Sequence, residues 1–179
     1  MKKLALIFGA IMAMSGTVNA QTLVVYYSAT GVTQGVAEQI AKSTGGDLWR
    51  LEPATPYTDA DLNYTDSASR VMREHNSGNP RTELSNPVPA NWSEYDTVFV
   101  GAPIWWGNAS WVINDFLTKN DFGTKTVVPF VTSASSPLAD SDKKMQDLAT
   151  GGNWADGQRF GYGTTQEMVD TFVKQFPEK

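Results

Sequence analysis

Three hydroxyl side chains, Ser28, Thr30 and Thr33, crowd around Gly31 in the run Ser28-Ala29-Thr30-Gly31-Val32-Thr33. An apolar stretch from Leu23 to Tyr27 precedes them and a helical pattern from Gln34 to Lys42 follows, so the order is strand, short loop, helix. In that order, successive backbone N–H groups and the hydroxyls gather at the positive end of a helix dipole. Such a loop suits a phosphate monoester without any lysine or arginine. The same residue types also serve ordinary N-capping and strand-to-helix turns, so the hexapeptide alone leaves both readings open. A second segment, Tyr95 to Trp111, is again a buried strand run leading into a loop, Pro103-Ile104-Trp105-Trp106-Gly107. Adjacent indoles just past the end of a central strand offer a face to a planar ring.

Little else in the chain carries chemistry. There is no cysteine among the 179 residues, which excludes disulfides, thiol nucleophiles and metal thiolates. The one histidine, His75, closes the run Arg70-Val71-Met72-Arg73-Glu74-His75 and reads as a solvated or structural residue on a surface helix. Arg70, Arg73 and Arg81 read as a solvated charged face. No lysine of the nucleotide-binding kind follows the first loop and no nucleophile–base pair is evident. Redox chemistry, if any, must therefore come from a cofactor.

The elements that position these residues form an alternating series. Strand runs at Leu23–Tyr27, Leu48–Leu51, Val98–Val100 and Val127–Val131 are each short and apolar, as in a parallel sheet covered on both faces. Helical patterns follow at Gln34–Lys42, Ser110–Leu117 and about Asp140–Leu148, and a last strand near Arg159–Tyr162 precedes a helix from about Thr165 to Phe176. The first helix should bury Val36, Ala37 and Ile40 and stop at Gly45-Gly46. The alternation argues an α/β fold with right-handed crossovers. Residues 53–92, framed by prolines, read as an excursion between the second and third strands with one helical stretch from about Ala60 to His75.

Lys2-Lys3, the apolar stretch Leu4–Met14 and the small-residue site Val18-Asn19-Ala20 read as a secretory signal cleaved after Ala20. The expectation is an exported protein, periplasmic or extracellular, with residues 21–179 as one domain and no stable membrane insertion. Without Lys2 and Lys3 the 14 basic residues become 12 against 19 acidic ones, a net charge of −7. That balance argues against a nucleic-acid partner.

Together, the two loop segments resemble those of the flavodoxin family, whose phosphate loop follows T/S-x-T-G-x-T and whose later loop sets an aromatic residue against the flavin. The resemblance is strongest to a branch with V-x-Y-x-S-x-T-G-x-T, here ending at Thr33, and G-x-P-I-W-W-G, here Gly101 to Gly107. It continues through Pro129-Phe130-Val131-Thr132-Ser133. The resemblance implies a flavodoxin-like three-layer sandwich with a five-stranded parallel sheet of order 2-1-3-4-5 and helices on both faces.

It also implies FMN as cofactor. Ser28, Ala29, Thr30, Gly31, Val32 and Thr33 would hold its phosphate, and Pro103, Ile104, Trp105, Trp106 and Gly107 one side of the ring. Thr132, Ser133, Ala134 and Ser135 would face the other side and the ribityl chain. Trp106 is the expected stacking residue because it adjoins Gly107, whose peptide can turn a carbonyl toward the flavin N5. In the third loop, relatives of this branch carry a glycine-rich stretch where this chain has Ala134-Ser135-Ser136-Pro137, so a narrower site or altered hydrogen bonds are expected there. Three functions follow: an exported FMN electron carrier, an FMN-dependent NAD(P)H:quinone or small-acceptor reductase, and a cofactor-free binding protein on the same fold. The expected partner is a redox protein or small electron acceptor, and the protein itself is expected to be a monomer or weak dimer.

Overall fold

The structure, a computed structural model, describes residues 21–176. The signal sequence expected at residues 1–20 lies outside the described residues. In chain order the elements are β1 (Gln21–Tyr26), α1 (Val32–Thr44), β2 (Asp47–Arg50), α2 (Arg70–Asn76), β3 (Tyr95–Trp105), β4 (Asn108–Ala109), α3 (Asn114–Lys119), β5 (Asp121–Thr132), α4 (Ser141–Leu148), β6 (Thr150–Trp154), β7 (Gln158–Phe160) and α5 (Gln166–Val173).

The sheet runs β2-β1-β3-β5-β6, with β7 also on β5 and the short β4 folded back antiparallel on β3. β6 and β7 share the fifth position: β6 pairs with Asp121–Val127 of β5 and β7 with Phe130–Thr132, all in parallel. The order is therefore 2-1-3-4-5 with a divided last strand. Side chains at the centre of the sheet alternate between two cores. Leu23, Val25, Val98 and Val100 meet Phe116, Leu117 and Met145 of α3 and α4. Val24, Phe99, Val128 and Phe130 meet Val36, Ile40, Val169 and Phe172 of α1 and α5.

α1 ends on Gly45 in the left-handed conformation, φ 66°, which a residue without Cβ adopts at no steric cost. β6 was not anticipated, since Thr-Gly-Gly-Asn-Trp has no strand pattern. Gly151 and Gly152 both have positive φ, and a Cβ on Gly151 would come within 2.7 Å of the Gly123 backbone nitrogen, so this strand is built on close backbone approach. The long helix expected at about Ala60–His75 shrinks to α2 at Arg70–Asn76. The cause is local: Asn63 Oδ1 accepts from the Thr65 amide, Asp66 Oδ1 from the Ala68 amide and Asp61 Oδ2 from the Thr58 amide. These side-chain turns compete with helical pairing until Ser69 caps α2. The chain then runs back beside β2, with Asn86 bonded to Arg50 and Glu52 and with Trp92 set edge-on to Phe116 and Phe122.

Among the described residues no helix is long and apolar enough to cross a membrane, and no three His, Asp or Glu side chains group as metal ligands.

Candidate functional site

The parallel register brings three loops to one place. Tyr26 pairs with Gly101 and Pro103 with Thr132, so the loops after β1, β3 and β5 leave the carboxyl edge of the sheet side by side.

In the first loop Ser28 is buried and its Oγ accepts from the Gly31 amide at 3.1 Å, leaving the hydroxyl proton free to donate. Thr33, also buried, shares a 2.7 Å hydrogen bond with the Thr132 hydroxyl, which ties this loop to the end of β5 and leaves one proton of the pair to donate. Thr30 stands exposed at the mouth. Gly31 begins α1 at φ 89° and ψ −15°, and no side chain caps the helix. The N–H groups of its first turn are thus left for an outside acceptor. Beside them is a cavity of about 210 Å³, walled by Thr30, Val32, Thr33, Thr132, Ser133 and Ser135 and by no carboxylate. Hydroxyl donors, an uncapped helix start and no competing anion fit a phosphate group.

That cavity leads into a groove of about 630 Å³, the two sharing Ala29, Thr30, Ile104, Ala134, Ser136 and Tyr162. A groove of this size holds a cofactor-sized molecule. Trp105 and Trp106 both wall it, but they are packed differently. Trp105 meets Tyr27, Tyr57 and Trp111 edge-on at centroid distances of 5.8, 5.8 and 4.9 Å. Trp106 is 39% exposed and lies parallel to His75, 4.3 Å away at 11°. Trp106 and Gly107 are the two central residues of the β3–β4 hairpin, and both have positive φ, 46° and 77°. Such turns favour Asn-Gly; a tryptophan there is strained by of order 1 kcal/mol or more, a cost often seen where a ligand is held. Ser28, Gly31 and Gly107 do not line the cavities and instead shape the backbone that does.

The third loop is pinned from below. Arg159 donates to the Ser133 carbonyl at 3.0 Å, the Ala134 carbonyl at 2.9 Å and Ser133 Oγ at 3.1 Å, while the Ser133 hydroxyl donates to the Ser136 carbonyl. With these bonds and the Cβ atoms of Ala134 and Ser135 in place, the 210 Å³ cavity stays open.

The sequence reading missed what the excursion brings. Leu62, Tyr64, Val71 and Met72 wall the groove opposite the loops, and Tyr162 reaches it from beyond β7. His75 is no solvated surface residue but is half-buried behind Trp106. Arg70 pairs with Glu74 at 2.6 Å and lies over the Tyr57 ring at 4.0 Å, so it does not face the cavity. Glu74 also accepts from Tyr57 and, at 3.0 Å, from Trp111 Nε1, which clamps α2 to the tryptophans. The Arg70–Glu74 spacing of four was the one sequence signal for this clamp.

Burial, reinforced by the bond to Glu74, pushes the Tyr57 phenol up to about 12, and burial raises Tyr27 likewise. An unfolded tyrosine ionises near pH 10, so this contribution to stability is full below about pH 10 and is lost as pH rises through 12. Tyr57→Phe is expected to lower stability at pH 8 by about 1 kcal/mol through its lost hydrogen bonds, yet to flatten the alkaline decline. Urea midpoints at pH 8 and pH 11 measure both effects.

The sequence profile described as Flavodoxin matches residues 21–176. A candidate flavoprotein from Bacteroides uniformis is 38% identical with a TM-score of 0.80, over 87% of this chain and 99% of its own. One from Bacteroides eggerthii is 35% identical with a TM-score of 0.78, over 88% and 98%. A flavoprotein from Lactobacillus acidophilus, crystallised in complex with FMN, is 25% identical with a TM-score of 0.64, over 88% and 98%. No curated protein matches. The chain belongs to the flavodoxin family.

Proposed function

We propose that the protein binds FMN in the groove at the carboxyl edge of the sheet and serves as an exported electron carrier. The observation that supports this most is the uncapped start of α1 opening on a carboxylate-free cavity that leads to a tryptophan-walled groove. The FMN complex of the Lactobacillus acidophilus flavoprotein gives further support. FMN, when bound, supplies reversible uptake and release of electrons.

This chain's residues bind it, orient it and exclude water. The first-turn N–H groups of α1, with the Thr30 and Thr33 hydroxyls, hold the phosphate, while Ser28 shapes the loop by accepting from the Gly31 amide. Each bond to a charged oxygen contributes about 1.5–3 kcal/mol, so several together replace a cation. Trp106 offers a face to the ring, and Ala134 and Ser135 close the other side. The strained Trp106-Gly107 turn keeps the indole at the groove while Trp105 anchors the turn to the aromatic core. The partner of such a carrier is a redox protein or small electron acceptor, and the charge of −7 favours a cationic face on a protein partner.

Titrating FMN into the purified protein tests the reading: quenching of flavin fluorescence with a 1:1 endpoint below micromolar concentration supports it, and no binding sinks it. The two tryptophans should separate by readout. Trp106→Ala is expected to weaken FMN by about 1–2 kcal/mol with little change in folding, the scale of one lost ring contact. Trp105→Ala is expected to lower the urea midpoint first, because its ring is packed on three others. Unchanged FMN affinity in Trp106→Ala would move the stacking contact elsewhere.

A further inference from the structure

Behind the tryptophans lies a second cavity of about 470 Å³ that shares only Trp105 and Trp106 with the groove. One wall is a set of nearly parallel rings. His75 lies 4.3 Å from Trp106 at 11° and 6.4 Å from Trp111 at 17°, and Trp106 lies 5.7 Å from Trp111 at 26°. His75 lines this cavity and not the groove, and its ring lies parallel to Trp106. Ile113 and Met145 are buried beneath, and Leu148 stands exposed at the mouth.

The polar groups of this cavity are unusual for the chain. The protein has 19 acidic and 14 basic residues, yet no carboxylate lines the cavity, whereas Lys144 does. Lys144 is exposed, donates to Asn108 Oδ1, and among the described residues has no carboxylate within ion-pair distance. Glu74 reaches the outer edge of Trp111 but does not line the cavity and is paired with Arg70. The combination is an aromatic wall, an apolar floor and one cation free of any carboxylate partner. Rings stack in offset fashion on such a wall, and an ammonium pairs with an anionic oxygen.

We propose that this cavity is a second binding site, for a planar aromatic molecule that carries an anionic oxygen. Its ring lies against the His75, Trp106 and Trp111 set and its oxygen meets Lys144. The site does not depend on a flavin in the groove.

Calorimetric titration of the purified protein with 2-naphthoate tests this, with uncharged 2-naphthylmethanol as the comparison ligand. The expected result is saturable 1:1 binding of 2-naphthoate, weakened about tenfold or more by Lys144→Met, the scale of one lost charge-assisted bond. Leu148→Glu, which sets an anion at the mouth, should weaken it similarly, while Tyr162→Ser in the groove should leave it unchanged. Both Lys144 and Leu148 are exposed, so these variants keep the fold, which circular dichroism checks. Binding that ignores Lys144→Met and Leu148→Glu, that is lost in Tyr162→Ser, or that fails to saturate overturns the proposal. An equal loss of 2-naphthylmethanol in Lys144→Met would overturn the assignment of an anion.

Discussion

Gly101→Ala is expected to destabilise the protein by about 3 kcal/mol, the upper part of the range for an overpacked core. Gly101 is the central-strand residue directly opposite Phe130 in the β3–β5 register. A Cβ there would fall 2.0 Å from the Phe130 ring, far inside van der Waals contact. Phe130 is fully buried against α1 and α5, so the ring has nowhere to go in an interior packed like a crystal. Gly101 also accepts from the Tyr27 amide at 3.0 Å, at the point where β1 gives way to the hydroxyl loop, so a shifted backbone would disturb the site as well. For a chain of this length, about 3 kcal/mol corresponds to a melting point roughly 6–12 °C lower. Phe130→Leu introduced into the Gly101→Ala chain should recover part of the loss, because it removes the ring that clashes. Urea unfolding of the single and double variants measures this, and an unaltered midpoint in Gly101→Ala would show that the sheet can open around an added methyl group.

The first glycine of the G-x-P-I-W-W-G stretch was thus readable as a motif position, but its physical reason was not. The ring that requires it comes from a different strand. The same division runs through the molecule. Elements whose signal is local were legible: the short apolar runs of β1, β3 and β5, the helix stop at Gly45, and the hydroxyl loop ahead of α1. The split fifth strand was not, because Gly151 and Gly152 serve close backbone approach and leave no hydrophobic pattern. Nor was the groove wall opposite the loops. Leu62, Tyr64 and Met72 sit in a segment whose turns are set by Asn63, Asp66 and Ser69 side chains, and whose place against the sheet is fixed by Glu74 holding Tyr57 and Trp111. Only three-dimensional contact gives His75 its place. From sequence it was a lone imidazole; in the fold it is the backing of Trp106.

Gly31→Val is expected to weaken FMN by about a hundredfold or more, roughly 2.7 kcal/mol, while weakening riboflavin by no more than about threefold. Gly31 holds φ at 89°, where a β-branched residue is strained by about 1–3 kcal/mol. A Cβ at this position would meet nothing within 4 Å, so no clash obscures the backbone effect. The chain can relieve the strain only by turning φ negative. That rotation breaks the 3.1 Å bond from the Gly31 amide to Ser28 Oγ and swings the first-turn N–H groups of α1 off the cavity beside Thr30 and Thr132. Riboflavin lacks the phosphate those groups would hold, so its affinity reports on the ring end alone. Gly31→Ala, less strained in the left-handed region, should lie between the two, at about a tenfold loss of FMN. The ratio of FMN to riboflavin affinity, taken from fluorescence titrations of all three chains, carries the result. Equal losses of both ligands would place the phosphate away from α1 and leave the hydroxyl loop as an ordinary helix start.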